Sequence, residues 1–138
     1  MYLLDTNVLS ETRIPHRTNP NVARWFDQVA PERLFISVVT VFEIELGALR
    51  LIRRDPPAGQ SLRNWIDQKI MPEFDTRIID IDRRVMKRSA ELQVPKSRPD
   101  HDTLIAATAL VHGLVMVTRN VKDFADTGVE VVNPFDGV

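Results

Sequence analysis

The chain contains no cysteine. Disulfides, thiolate metal sites and a cysteine nucleophile are therefore excluded, and a reducing compartment fits. An excess of charge is missing too: 18 Lys and Arg face 19 Asp and Glu, a formal net charge of −1. Nucleic-acid-binding domains often carry a strong basic surplus, so contact with a polyanion has to come from local patches. No apolar run approaches the ~18 residues of a membrane-spanning helix. The N-terminus lacks a basic segment followed by an apolar one, so no signal peptide is expected and the location is read as cytoplasmic. There is no Gly-rich phosphate loop, no Ser/His/Asp arrangement, no internal repeat and no low-complexity tract or linker. The three histidines, His16, His101 and His112, are scattered. A surface position is the default reading of His101, although it adjoins Asp102.

What is present is 138 residues, 43% of them hydrophobic. That size can bury a core unaided, and a single domain over 1–138 is expected. Short apolar runs predict strands at Tyr2–Leu4, Leu34–Val38, Arg77–Ile81, Leu114–Val117 and Val129–Val132. Helices are predicted between them. A short one covers Val8–Glu11, and one opens at Asn19-Pro20 and runs to about Val29 with Val22, Trp25, Phe26 and Val29 inward. The next spans about Thr40 to Arg54, with Phe42, Leu46 and Leu49 as its apolar stripe and Asp55-Pro56-Pro57 as its stop. Further helices are expected from Ser61 to Met71, from Asp82 to about Val94, and from Asp102 to His112, the last closed by Gly113. Asn120–Phe124 reads as one helical turn. The first four strands are continuous apolar runs, as doubly covered parallel strands should be. The expected fold is α/β, with a central, mostly parallel five-stranded sheet.

Acids punctuate this pattern. Asp5 follows the first strand at once, where ligands bind at the carboxyl edge of an open α/β sheet. It reads equally well as a helix cap or as a site residue. Glu43 lies inside the helix after the second strand, one turn from Gly47. A glycine there costs about 1 kcal/mol and suggests that something approaches closely. A solvated surface position is the alternative for Glu43, and it is the reading for Glu45. Asp102 sits in the first helical turn of its helix, on a face continued by Ala106, Ala109 and Gly113, though favour from the helix dipole also explains it. Asp100 reads as a cap. Past the fourth strand, Asp123 could add a carboxylate and Asn120 or Thr118 a neutral oxygen. Acids from several elements converging on one edge repel each other. A divalent cation resolves the conflict, and all-oxygen ligands favour Mg2+ or Mn2+.

In order along the chain, Leu4-Asp5-Thr6-Asn7-Val8-Leu9-Ser10-Glu11, Glu43 with Gly47, Asp102-Thr-Leu-Ile-Ala-Ala-Thr-Ala, Val117-Thr118-Arg119-Asn120 through Asp123-Phe124, and Val132-Asn133-Pro134-Phe135 resemble PIN-domain nucleases of the VapC/FitB toxin type. The resemblance implies a three-layer α/β/α PIN-like fold and a Mg2+-dependent endoribonuclease, the toxin half of a type II toxin–antitoxin pair. It implies an RNA substrate, with transfer RNA as the family analogy, a homodimer and a small DNA-binding antitoxin. Carried onto this chain, Asp5, Glu43 and Asp102 are the acidic core, with Asp5 and Asp102 as main metal ligands. Thr6 orients a carboxylate or water. Many relatives carry a fourth acid where this chain has Asn120, and Asp123, three residues on, is the candidate substitute.

Among the basic residues, Arg50 and Arg54 share a helical face with Glu43 and Gly47, where they could follow the phosphates of an RNA strand. An ordinary solvated face is the alternative. Arg84, Lys87 and Arg88 read as solvated, with Glu91 available for pairing. Two other functions compete. One is a PIN-like module that binds RNA or a partner without cutting. The other is an aspartyl phosphatase, which would want a second aspartate where Asn7 stands.

Overall fold

The computed structural model describes residues 1–137. Five strands, β1 (Tyr2–Leu4), β2 (Leu34–Ser37), β3 (Ile78–Ile79), β4 (Val115–Val117) and β5 (Val131–Val132), form one sheet in the order β3-β2-β1-β4-β5. All four pairings are parallel, so the sheet is parallel throughout rather than mostly. The helices are α1 (Thr6–Glu11), α2 (Pro20–Gln28), α3 (Val38–Arg54), α4 (Pro56–Trp65), α5 (Met71–Phe74), α6 (Arg83–Leu92) and α7 (Asp100–His112).

Continuous apolar strands are explained by cover on both faces. Leu3, Met116 and the partly buried Phe35 pack with Val85, Leu92, Ile105 and Ala109 of α6 and α7. Leu4, Ile36 and Val117, on the opposite face, pack with Val8 and Leu9 of α1, Ile44 and Ala48 of α3, and Ile66, Ile70 and Phe74. Side chains alternate across a strand, so successive residues feed two separate cores. The result is three layers, α/β/α. Trp25 packs edge-on against Tyr2 and Phe26 at 5.2 Å each.

Several elements depart from the sequence expectation for local reasons. The helix α1 starts at Thr6, not Val8, because Asp5 caps it. The strand β2 stops at Ser37 and α3 starts at Val38, because the Ser37 hydroxyl accepts from the Val39 N–H at 3.0 Å and caps the helix directly. The buried stripe of α3 is Thr40, Ile44 and Ala48. Phe42 and Leu49, expected inward, are 48% and 56% exposed. The helix packs closely through its small residues and turns the large ones out. Pro56 does not merely end a helix: with Asp55 accepting from the Ala58 N–H at 3.3 Å, it opens α4 five residues before the expected start. Beyond Trp65 the chain widens into a π turn, Ile66–Ile70, before α5. Pro72, which lacks an N–H and would clash with the carbonyl four residues back in a regular α-helix, supplies the reason. The helix α6 ends at Leu92, two residues before the expected Val94, under the constraint of Pro95. The helix α7 begins at Asp100, with Pro99 in the cap position; Asp100 is thus a first-turn residue and not a cap. The edge strands β3 and β5 pair over two residues each, shorter than their apolar runs. Gly113 closes α7 in the left-handed region, φ 65°, as expected.

This order of strands creates one place of special geometry. From β1 the chain moves outward to β2 and β3, then returns across the sheet to β4 on the other side of β1. The carboxyl ends of β1 and β4 therefore flank the switch point, the crevice where open α/β sheets bind ligands.

Candidate acidic site at the switch point

Asp5 leaves β1 into that crevice. Its N–H donates to the Val117 carbonyl at 2.8 Å, which fixes the backbone across the β1–β4 seam. The side chain is 8% exposed. Its Oδ1 accepts from the Thr6 N–H at 2.8 Å, and its Oδ2 accepts from the Thr118 hydroxyl, also at 2.8 Å. Asp5 is thus a helix cap and a crevice residue at once. Thr118, fully buried, also accepts from the Asn120 N–H at 3.0 Å. Asn7 fastens the same seam: its side-chain oxygen accepts from the Arg119 N–H at 3.2 Å, and its amide lies 3.4 Å from Asp5 Oδ2 and from Thr118 Oγ1. The Arg119 guanidinium stacks on Phe135, 4.8 Å from the ring centre.

Glu43 reaches the crevice from the second turn of α3. The Thr6 hydroxyl donates to Glu43 Oε1 at 2.6 Å and lies 3.1 Å from the buried Thr40 hydroxyl. On its other side, Glu43 Oε2 is 3.5 Å from His101 Nδ1. Asp102 stands half-exposed in the first turn of α7, on the side continued by the buried Ala106 and Ala109. Small residues there let the helix lie close to the sheet. Asp123 is exposed, on a 3-10 turn over Val121–Phe124, and Asn120 precedes that turn.

Electrostatics tie these acids together. Burial pushes the Asp5 carboxyl up from its ordinary value, and the Glu43 and Asp123 carboxylates push it further; the bonds from Thr118 and Thr6 pull the other way. Burial also raises Asp102, followed by the charges of Asp123, Asp5 and Glu43, with His101 opposing. Among the described residues no Lys or Arg forms an ion pair with any of the four acids. Nor do any three Asp, Glu or His side chains among them stand close enough to hold one cation. The acids form a spread cluster, not a closed cage. Their chemistry still suits a hard divalent cation: the carboxylate donors are all oxygen, and among the described residues only His101, and no Lys or Arg, opposes their mutual repulsion.

Other expected residues fall elsewhere. Arg50 and Arg54 are exposed, two and three turns past Glu43 along α3, and neither is ion-paired among the described residues. A Cβ on Gly47 would meet nothing within 4 Å, so no part of the chain makes the close approach that this glycine suggested. Glu45 is partly exposed and also pairs with Arg63 of α4 at 2.6 Å. Glu91 pairs with Arg88 at 3.8 Å, one of the two options expected. Sequence reasoning gave Asn7 no role in the site and treated His101 as plain surface. The available signals were the position of Asn7 two residues past a strand-end acid and the adjacency of His101 to Asp102.

The model of the PIN domain family matches residues 2–130. The chain belongs to that family. Within it the chain is of the VapC/FitB type, as its relatives show. Plasmid stability protein StbB of Pseudomonas syringae is 37% identical over 147 residues, covering 99% of both chains. Toxin FitB of Neisseria gonorrhoeae is 35% identical, covering 98% of this chain and 99% of that one. The crystal structure of FitAcB from the same organism superposes with a TM-score of 0.88 at 34% identity, over 98% of this chain and 99% of that one. VapC ribonuclease Y4jK of Sinorhizobium fredii is 29% identical, with 99% of both chains covered. Among the described residues no helix is long and apolar enough to cross a membrane.

Proposed function

We propose that this single PIN domain, residues 1–138, is a Mg2+-dependent endoribonuclease and the toxin of a type II toxin–antitoxin pair, with Mn2+ as an alternative ion. The observation that carries the reading is that Asp5, Glu43, Asp102 and Asp123, from four separate elements, share one electrostatic neighbourhood in which, among the described residues, no Lys or Arg is ion-paired to them. Membership of the VapC/FitB type, with a ribonuclease and a toxin among the relatives, supports it.

Asp5 and Asp102 would hold the cation, Glu43 would complete its acidic surroundings, and Asp123 would stand in for the acid missing at Asn120. When bound, a divalent ion supplies positive charge to the phosphate oxygens and makes water more acidic. The chain's own groups do the positioning. Thr118 and the Thr6 N–H each hold one oxygen of Asp5, so the carboxylate cannot rotate away from the crevice. The Thr6 hydroxyl holds Glu43 Oε1, and Oε2, with His101 Nδ1 3.5 Å away, would accept a proton from the attacking water. The water oxygen would form the new bond to phosphorus in line as the bond to the departing ribose oxygen breaks; that oxygen leaves with the bonding electron pair and takes its proton from solvent water. Arg50 and Arg54 would follow the RNA backbone away from the acids, and their removal should flatten the salt dependence of binding. Solved toxin–antitoxin complexes among the structural neighbours support a cognate antitoxin; a homodimer, a cytoplasmic location and an RNA target, with transfer RNA as the family analogy, complete the proposal.

Incubation of RNA with the protein, with and without Mg2+, tests the reading when repeated with Asp5→Asn. Cleavage should require the ion and fall by orders of magnitude in the variant. The spread of the acids and the amide at Asn120 favour a second reading, a PIN module that holds RNA without cutting it. Equal RNA integrity in all arms would select that one.

A further inference from the structure

An apolar cleft adjoins the acids, and the chemistry above leaves it unused. Val38, Val39, Phe42, Ile81, His101 and Leu104 line a cavity of about 290 Å3. All come from the same edge of the sheet as the acids. Val38 directly follows β2, Ile81 lies two residues past β3, Phe42 is in the first turns of α3, and His101 and Leu104 are in the first turns of α7. Phe42 and His101 meet edge to face, with ring centres 5.5 Å apart. Phe42 is 48% exposed, although it is a large aromatic on a helix with a buried face. Phe42 is the chain neighbour of Glu43, His101 is the neighbour of Asp102, and His101 Nδ1 itself lies 3.5 Å from Glu43 Oε2. The cleft and the acids share a wall.

We propose that this cleft receives the base of a nucleotide flanking the scissile phosphate, with Phe42 as its stacking surface; the proposal rests on the ribonuclease reading above. A phosphate held at the acids brings its attached nucleosides to the walls of the crevice. On this side the wall is apolar and carries an exposed aromatic ring. Unstacked RNA bases are recognised by stacking on such rings, and every base offers a face for it. A base already paired in a helix cannot place its face on Phe42, so the cleft selects single-stranded RNA. The lining offers no polar side chain except His101, so it reads stacking strength more than base identity, and a purine should be favoured over a pyrimidine.

The test uses the full chain, Phe42→Ala and Phe42→Trp, with a single-stranded RNA oligonucleotide cut at a mapped bond. A second set of oligonucleotides carries an abasic residue on one or the other side of that bond. One stacked base corresponds to about a 5- to 150-fold effect on binding. Phe42→Ala should raise KM by that range with kcat far less affected, and Phe42→Trp should preserve KM. An abasic residue at one flank should raise KM for the wild type equally and add nothing to Phe42→Ala. If the wild type cleaves but abasic residues at both flanks leave KM unchanged, the base subsite is overturned while the ribonuclease reading stands. If Phe42→Ala instead turns a dimer into a monomer by light scattering, and abasic residues do not reproduce its defect, the face belongs to a second copy of the chain and the proposal fails. Absence of any ion-dependent cleavage by the wild type overturns both readings together.

Discussion

Thr118→Val keeps the shape of a fully buried side chain and deletes one hydroxyl. That hydroxyl donates to Asp5 Oδ2 at 2.8 Å, and Asp5 is 8% exposed, so water cannot readily replace it. A hydrogen bond to a charged group contributes about 1.5–3 kcal/mol. The Asn7 amide, 3.4 Å from the same oxygen, recovers part of it. A net loss of about 2 kcal/mol is expected at neutral pH. For a chain of this length, that corresponds to about 6–8 °C in Tm. The bond favours the ionised carboxylate, so its removal pushes the Asp5 carboxyl further up. The loss should therefore be largest where Asp5 is ionised and shrink as acid protonates it. Calorimetry in EDTA across pH 4–8 reads both effects, with Thr118→Ser as the variant that restores the donor. Loss of such a supporting bond also weakens metal affinity about 10- to 100-fold, measurable as a shift in the Mg2+ dependence of cleavage. A Tm within about 1 °C of the wild type at pH 7, together with an unchanged Mg2+ dependence, would refute the role assigned to this hydroxyl.

Asp5→Asn should raise Tm in EDTA at pH 7, because the amide can still accept from the Thr6 N–H and donate to Thr118 while removing a buried charge. A carboxyl raised by folding stabilises the protein below its unfolded pKa of about 3.9 and loses that contribution as pH rises through the folded value. The gain in the variant should accordingly shrink toward zero near pH 4; a lower Tm than the wild type at pH 7 would contradict the sign. Gly59→Ala places a Cβ 2.3 Å from the Ile52 backbone nitrogen, so α3 and α4 must separate by about 1 Å. Overpacking of this kind costs about 1–3 kcal/mol. Denaturant titration should show the loss, whereas Gly47→Ala, in open space, should be neutral or slightly stabilising.

Much of the fold was legible because apolar runs and caps act locally. Each of the five strands was found, and Gly113 was identified from its place after a periodic run. The errors came where tertiary packing outranks side-chain size. Phe42 looked like core because it is large and apolar, but Ala48 and Thr40 fit against the sheet where a phenylalanine would not. Pro56 and Asp55 read as a stop and served as a start, since the same residues favour both. At the site, the acids could be singled out by type and position. The contacts that hold them could not: Thr118 and Asp5 are 113 positions apart, and only strand order makes them neighbours.

That separation bears on how the molecule comes into being. The central strand β1 precedes β4 in the chain, so one of its edges stays open until β4 has been made. Until then Asp5 lacks the Val117 carbonyl and the Thr118 hydroxyl that hold it. Long-range parallel pairing of this kind is slow to form. A nascent or prematurely terminated chain thus carries its acid in an unsupported state. Any chemistry that needs a firmly held Asp5 is withheld until β4 and Thr118 are in place.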